Sequence, residues 1–505
     1  MAGIPVGGQT GFLEGFNLPF FGYGHDFGRN AWGHDGLSTR GIRLRRDGDN
    51  QGFTGFDAIT DSNCDGRPAA RIHMSLAGGH ALRQGAEAYI DLLAHGPFPC
   101  PSPNDAGGYD LEGATVRLRL WLPPGSAGPP GAPNGVQLFF ASKAGNRMPT
   151  FYTPWRNIET SWEGRTVEIA SRVSNQGPGH VPPGFDARRV AQAGFRIRIN
   201  DQSTATLEGS TDVESLHFEP TTPAVFEFGA SPADTELRGG REAYGIEAPL
   251  VRVFVLCDGR AGVRFGPGGE IEGLDDEFFA DFDVLLAAAE RQGALLMPVL
   301  LDFHWLNKPE VIGGVQMGGR SAVIQDAELR RGYLETALAP ILQRYGQSPW
   351  IHSWDIINEP EWALAGIGGH TPNTAKFDPV PVESMRTFVR ECAELVHRHT
   401  RHQVTMGSAK PSWVGLWRGL GLDLYQFHWY ESFRAECPFP WPHCSELALD
   451  QPCLVGEVPT AGASIEPAEF LAASRQGGYA GLLFWSSRAQ DAWSDLRAVT
   501  RTRPT

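Results

Sequence analysis

Over the first 220 residues, apolar and polar positions alternate in short runs: ATVRLRLWL at 114–122, GVQLFFA at 135–141, RTVEIA at 165–170, FRIRIN at 195–200 and VESLHFE at 213–219. A period of two, interrupted by stretches rich in Gly, Pro and Asp, predicts antiparallel strands that each bury one face. Helical patterning is weak in this half, with 84–94 its only helix candidate. An all-β sandwich of jelly-roll type follows for residues 1–220, with the proline-containing FEPTTPAV at 218–225 as its boundary.

From 224 the rhythm changes, and short apolar runs alternate with longer amphipathic stretches. Eight runs read as strands: VFEFGA (225–230), LVRVFVL (250–256), ALLMPVLLDF (294–303), IHSWDIIN (351–358), QVTMGS (403–408), LYQFHWY (424–430), CLVGEV (453–458) and YAGLLFWS (479–486). Helices are predicted over 277–293, 329–346, 382–400 and 467–476. Eight strands with interleaved helices predict a (β/α)8 TIM barrel spanning 224–505, an α/β domain behind the all-β one. The first, fifth and sixth helices are poorly marked, so closure of the ring is inferred from the strand count.

Composition narrows the function classes. At 505 residues the chain is long enough for two domains, and its 41% hydrophobic and 20% charged content is that of a soluble globular protein. A formal net charge of −15 opposes polyanions, so neither nucleic acid nor an anionic membrane is an expected partner. No apolar run reaches the roughly 20 residues of a membrane span. The opening MAGIPVGGQTGFLEGF lacks the basic cluster and apolar stretch of an export signal, which favours a cytoplasmic location, although a trimmed secreted chain would look the same. Seven cysteines at scattered positions are expected as free thiols, with Cys437 and Cys444 the pair placed to bond.

In such a barrel the C-terminal ends of strands form the active-site mouth. The fourth predicted strand ends in Asn358–Glu359 and the seventh in Gly456–Glu457, so two carboxylates face one another. Arg252 lies on the second strand, His304 and Trp305 follow the third, His428 and Tyr430 lie on the sixth, and Trp485 on the eighth. Carboxylates, amides and aromatic faces together suit a sugar.

Residues 224–495, with Asn-Glu-Pro at 358–360 closing strand four, LVGEV closing strand seven, His-x-Tyr at 428–430 and Trp485, resemble the clan A glycoside hydrolases, most closely the family 5 cellulases and mannanases. The resemblance implies a retaining β-glycosidase for gluco- or manno-configured oligo- or polysaccharides. Glu359 would be its acid/base and Glu457 its nucleophile. Asn358 would bind the sugar 2-hydroxyl, Tyr430 would orient Glu457, Trp485 would floor the subsite of the scissile sugar, Arg252 would support the nucleophile, and His304 would bind sugar. It implies no metal or organic cofactor and gives Glu361 and Trp362 no role. The nucleophile is expected below the ordinary carboxylate value beside Arg252 and Tyr430, and the acid/base above it.

Other readings stay open. His304 and His428 could be core histidines, Arg252 a structural ion-pair residue, and Trp305, Trp362, Trp429 and Trp441 either packing or sugar platforms. Asp-rich turns at 47–50 and 61–66 fit calcium or, more simply, ordinary turn chemistry. The aromatics at 20–36 would suit a carbohydrate-binding module, but an architectural role fits the sandwich equally. Long loops at 305–328 and 360–381 favour a pocket, hence exo action or short oligosaccharides. A noncatalytic carbohydrate binder and a transglycosylase are the competing functions, and the oligomeric state is not indicated.

Overall fold

The computed structural model describes residues 11–19, 42–47, 55–65, 67–77, 85–92, 108–142, 148–200, 202–219, 224–227, 231–312, 315–487, 491–496 and 498–499. The stretch 20–36, the end of the 47–50 turn and the last residue of the 61–66 turn lie outside these. The chain divides into two compact units, one of Met1–Ser38 with Glu236–Thr505 and one of Thr39–Thr235. Among the described residues no helix is long and apolar enough to cross a membrane.

The first unit is a closed, all-parallel barrel of β1 (Leu13–Leu18), β2 (Leu250–Phe254), β3 (Leu295–Asp302), β4 (Ser353–Asn358), β5 (Gln403–Ser408), β6 (Tyr425–His428), β7 (Cys453–Pro459) and β8 (Gly481–Trp485). Seven of these strands lie where periodicity placed them. The first does not. Of the expected VFEFGA, Val225–Glu227 fall in a strand, Ala224–Glu227, that pairs antiparallel with Thr206–Glu219 within the second unit, and 228–230 lie outside the described residues. The ring is closed instead by LEGFNL, with Gly15 opposite Leu250 and Leu13 opposite Gly481. The neighbouring strand comes so close that a Cβ on Gly15 would sit 1.7 Å from the Leu250 carbonyl oxygen, so only glycine fits. The expected boundary at 220–224 therefore moves: the all-β unit is inserted in the chain between β1 and α1 (Pro232–Tyr244), the helix that leads into β2.

The amphipathic stretches form helices as patterned. In α2 (Asp276–Gln292) the Asp275 side chain accepts from the Glu277 and Phe278 amides at one end, and left-handed Gly293 closes the other. Residues 327–345 are helical with a π turn at Tyr333–Leu338 just before Pro340, which has no amide to give the ladder. In α3 (Val382–His399) the face of Met385, Phe388, Val389, Cys392 and Val396 is buried. Between β5 and β6, and between β6 and β7, only 3-10 turns occur, which is why helices were hard to mark there. Leu250, Met297, Leu424, Leu454 and Leu483 fill one end of the barrel, leaving the C-terminal end to polar groups.

The second unit has two antiparallel six-stranded sheets. One runs Arg165–Arg172, Thr115–Leu122, Thr206–Glu219, Arg67–Ala77, Gly55–Cys64, with Ala224–Glu227 also paired to Thr206–Glu219; the other runs Ile42–Asp47, Gly85–Asp91, Val190–Arg198, Gly135–Ser142, Thr150–Tyr152, with Arg156–Asn157 also paired to Gly135–Ser142. Both contribute to one core, for example Ile72, Leu118 and Val213 from the first and Ala88, Leu138 and Phe195 from the second. The helix expected at 84–94 is the strand Gly85–Asp91. Its Ala86, Ala88 and Ile90 are fully buried at alternate positions, so a period of two wins over the helical propensity of its alanines.

Candidate active site

Strand β4 is buried throughout and delivers Asn358 to the mouth in register with Asp302 of β3 and Gly407 of β5. The next residue, Glu359, adopts a left-handed backbone (φ 45°, ψ 44°), and Pro360 begins a 3-10 turn over Pro360–Ala363. Its amide donates to the Gly407 carbonyl at 2.7 Å. That bond and the proline turn the chain sharply, so the carboxyl leaves the strand direction and enters the mouth. Strand β7 presents Glu457 in register with His428 of β6.

Arg252 is fully buried at the centre. Its Nη1 donates to Glu457 Oε1 at 2.6 Å and to Asn17 Oδ1 at 3.0 Å, its Nε to Asp355 Oδ2 at 2.8 Å, and its Nη2 to Asn358 Oδ1 at 2.8 Å. Four hydrogen bonds and two carboxylates satisfy a guanidinium that burial alone would expel. The space for it comes from Gly407, where a Cβ would lie 2.8 Å from Nη2. Asn17 is in turn fixed by donating to the Gly456 carbonyl at 2.9 Å, and Gln426 holds Asp355 at 2.8 Å. Arg252 thus serves Glu457 and the barrel interior at once.

The Tyr430 hydroxyl donates to the other Glu457 oxygen at 2.6 Å, and burial holds that phenol well above its ordinary value, so it remains a donor. His428 is fully buried, with Nδ1 2.7 Å from Glu359 Oε1 and 3.5 Å from Glu457 Oε1. Burial pushes it down to about 4, so the imidazole between the two carboxyls is neutral. One oxygen of each glutamate and one nitrogen of His428 lie within 4.8 Å of one another.

The two carboxyls are unequal. Burial is the main force on both and raises both. Glu359 is pushed up to about 7, with Asp302 adding to the effect of burial. Glu457 is also raised, which corrects the expectation of a lowered value; His428, Arg252 and Tyr430 oppose burial there without overcoming it. The ion pair and the phenol nonetheless converge on Glu457 and not on Glu359.

Asp302 fastens two further groups. It accepts from Asn358 Nδ2 at 2.8 Å and touches the His304 imidazole, whose amide it also accepts at 2.9 Å. Burial disfavours a charged His304, but the Asp302 carboxylate outweighs it and raises the imidazole above its ordinary value. The His304 side chain remains 38% exposed, open to a ligand. Trp485 is partly exposed at the end of β8, and its Nε1 donates to Asp491 at 2.8 Å.

Trp305 does not belong to the mouth. It is fully buried, packs on Phe265 and Tyr333 with ring centroids 5.7 and 6.2 Å away, and donates to the Leu256 carbonyl at 3.3 Å. The 3-10 turn Phe303–Leu306 alternates its side chains, sending His304 outward and Trp305 inward. Trp429 and Trp441 are buried as well, in a cluster with Phe439 and Phe470. Trp362 is half-buried, and its Nε1 donates to Glu359 Oε2 at 2.8 Å. Sequence reasoning passed over Asn17, Asp302, Asp355 and Gln426; of these only Asp302, at a strand end, carried a signal. The described cysteines are free, and Cys444 shares a hydrogen bond with Cys453 instead of bonding Cys437.

The two long loops are knit together by backbone bonds from Lys308 to Lys376 at 2.8 Å and from Asp378 to Leu306 at 2.9 Å. They wall the side of the mouth next to β3 and β4.

No family model matches the chain. A mannan endo-1,4-β-mannosidase of Mytilus edulis is 23% identical over 315 residues, covering 54% of this chain and 79% of the relative. Solved structures to which the chain is similar include the β-mannanase of Mytilus edulis (19% identity, TM-score 0.43) and an endo-1,4-β-mannanase of Eisenia fetida (20% identity, TM-score 0.44), each aligned over 54% of this chain and 84% of its own.

Proposed function

We propose that the protein is a retaining β-glycosidase that cleaves β-linked mannan or manno-oligosaccharides by double displacement, with Glu457 as nucleophile and Glu359 as acid/base. The observation that supports this reading is that one oxygen of each carboxyl lies within 4.8 Å of the other, with His428 Nδ1 2.7 Å from Glu359 and 3.5 Å from Glu457. A retaining enzyme needs about 5–5.5 Å, whereas an inverting one needs about 6.5–9.5 Å to seat a water between them.

Glu457, held as an anion by Arg252 and Tyr430, attacks the anomeric carbon while Glu359 gives its proton to the departing glycosidic oxygen. The glycosyl-enzyme ester that results is opened by a water whose proton returns to Glu359. Asn358, anchored by Arg252 and Asp302, faces the sugar hydroxyls, and Trp485 offers a face to the ring. Manno configuration is preferred to gluco because the relative found by sequence acts on mannan.

The test is Glu457→Ala with β-1,4-manno- and cello-oligosaccharides and aryl β-glycosides. The expected result is loss of turnover on all of them, and recovery with azide as a glycosyl azide of inverted anomeric configuration. Unchanged turnover removes Glu457 from its role. Cleavage of cello- in place of manno-oligosaccharides by the parent enzyme replaces mannan as the substrate, and the product lengths separate chain-end from internal attack.

A further inference from the structure

Two residues that follow the acid/base point in opposite directions from one turn. Glu361 goes inward and is fully buried; its Oε1 accepts from Ser408 Oγ at 2.6 Å and Trp417 Nε1 at 2.8 Å, and its Oε2 accepts from the Ala409 amide at 3.2 Å. Three donors describe a carboxyl used as an anchor, tying the turn Pro360–Ala363 to the end of β5 and to the 3-10 turn Val414–Trp417. Trp362 goes outward to Glu359 Oε2, while His428 Nδ1 faces Oε1 at 2.7 Å. The Glu359 carboxyl is thereby held at both oxygens and cannot rotate freely.

The Trp362 ring is itself confined. Trp413 meets it edge-on at 5.4 Å, Phe433 lies 5.6 Å away, and Lys410 Nζ sits over its face at 5.2 Å. Lys410 is fixed by Glu436 at 2.6 Å. These neighbours come from the connections after β5 and β6, so the indole is located by loops other than its own.

We propose that Glu361 and Trp362 form a positioning clamp on the acid/base, in which Glu361 anchors the turn and the Trp362 N–H sets both the orientation and the proton affinity of Glu359. The inference rests on the assignment of Glu359 as acid/base. A hydrogen bond given to a carboxyl oxygen stabilises the ionised form more than the neutral one. Trp362 therefore opposes the burial that raises Glu359. The other groups that act on this carboxyl are His428, Glu457, Asp302, Arg252, His304 and Tyr430, and none is altered by changing Trp362.

The experiment is the pH profile of kcat/KM on β-1,4-mannohexaose for Trp362→Phe, Glu361→Gln and the double variant, each checked for folding by thermal melt. Phe keeps the ring and deletes the N–H, so the alkaline limb should move up by about one pH unit, the size expected for one hydrogen bond to a charged group. Glu361→Gln places an amide NH2 against donors, loosens the anchor, and should move the limb in the same direction by less. The double variant should move it no further than Trp362→Phe alone, because Glu361 acts through Trp362. A folded Trp362→Phe with an unmoved limb overturns the proposal, as does a Glu361→Gln that lowers the melting temperature and leaves the profile alone. Glu359→Ala separates the two levels: if it is inactive and azide restores turnover while the Trp362→Phe limb is unmoved, only the clamp fails. If Glu359→Ala is fully active, the acid/base assignment fails with it.

Discussion

Arginines and carboxylates meet in both units of this chain, with opposite consequences. On one sheet of the all-β unit they form cross-strand pairs: Arg67 with Glu214 at 3.0 Å, Arg71 with Asp212 at 2.7 Å, and Arg117 with Glu219 at 2.9 Å and Glu168 at 3.1 Å. Those arginines stay 64%, 50% and 37% exposed. Around Arg117, Glu168 and Glu219, which are 37%, 40% and 47% exposed, water solvates the charges whether or not they pair, so these pairs contribute little to stability, whereas Glu214 and Asp212, 5% and 6% exposed, lean on their arginines. In the barrel, Arg252 and Asp355 are fully buried and Glu457 nearly so, at distances of 2.8 and 2.6 Å. There each charge depends on its partners, because no solvent replaces one that is removed. Burial, more than the number of pairs, decides which arginine matters.

The comparison breaks if Arg252→Met is tolerated. Leaving Glu457 and Asp355 without their cation should cost about 3–5 kcal/mol in a denaturant titration and abolish turnover. A loss of activity with unchanged stability would mean that the buried carboxyls simply take up protons.

A smaller effect should appear on the second carboxyl. Because Glu359 is held near 7 when folded against 4.5 for the free group, it is protonated in the native state over a window where the unfolded chain is ionised. The stability that this provides is fully present below about 4.5 and is lost as pH rises through about 7. Glu359→Gln cannot ionise, so its melting temperature should exceed that of the parent at pH 8 and match it near pH 4.5. An equal difference at both values would show that burial is not what raises this group.

The smallest change is expected on the exposed ladder. Arg117→Met should leave both the thermal melt and mannohexaose cleavage unchanged. A marked destabilisation would show that the sheet face is drier in solution than the exposure of its arginines implies.

How the site could be read in advance follows from the same physics. Glu359 and Glu457 were visible because each ends an apolar run, and a polar residue that closes a buried strand of a parallel barrel has the mouth as its outlet. Asn17 gave no such sign: LEGFNL is short, interrupted by Glu and Asn, and separated from the rest of the barrel by an inserted unit. Its role exists only because β1 sits between β8 and β2, which brings Asn17 to Arg252. Trp305 and Trp362 carried the same chemical expectation, and the geometry of two 3-10 turns sent one into the core and the other to Glu359.

From the sequence alone came the alternation of period two in the first part, the alternation of strands and helices after it, and the two carboxylates at strand ends. All of these are local, since periodicity reports that a face is buried and a strand end reports where a side chain emerges. Which run closes the ring, which of Trp305 and Trp362 reaches the mouth, and how burial raises both carboxyls were decided by tertiary structure. An apolar run specifies that it needs a partner without naming it, and the pairing of Leu13 with Gly481 is made only when the distant ends of the chain meet.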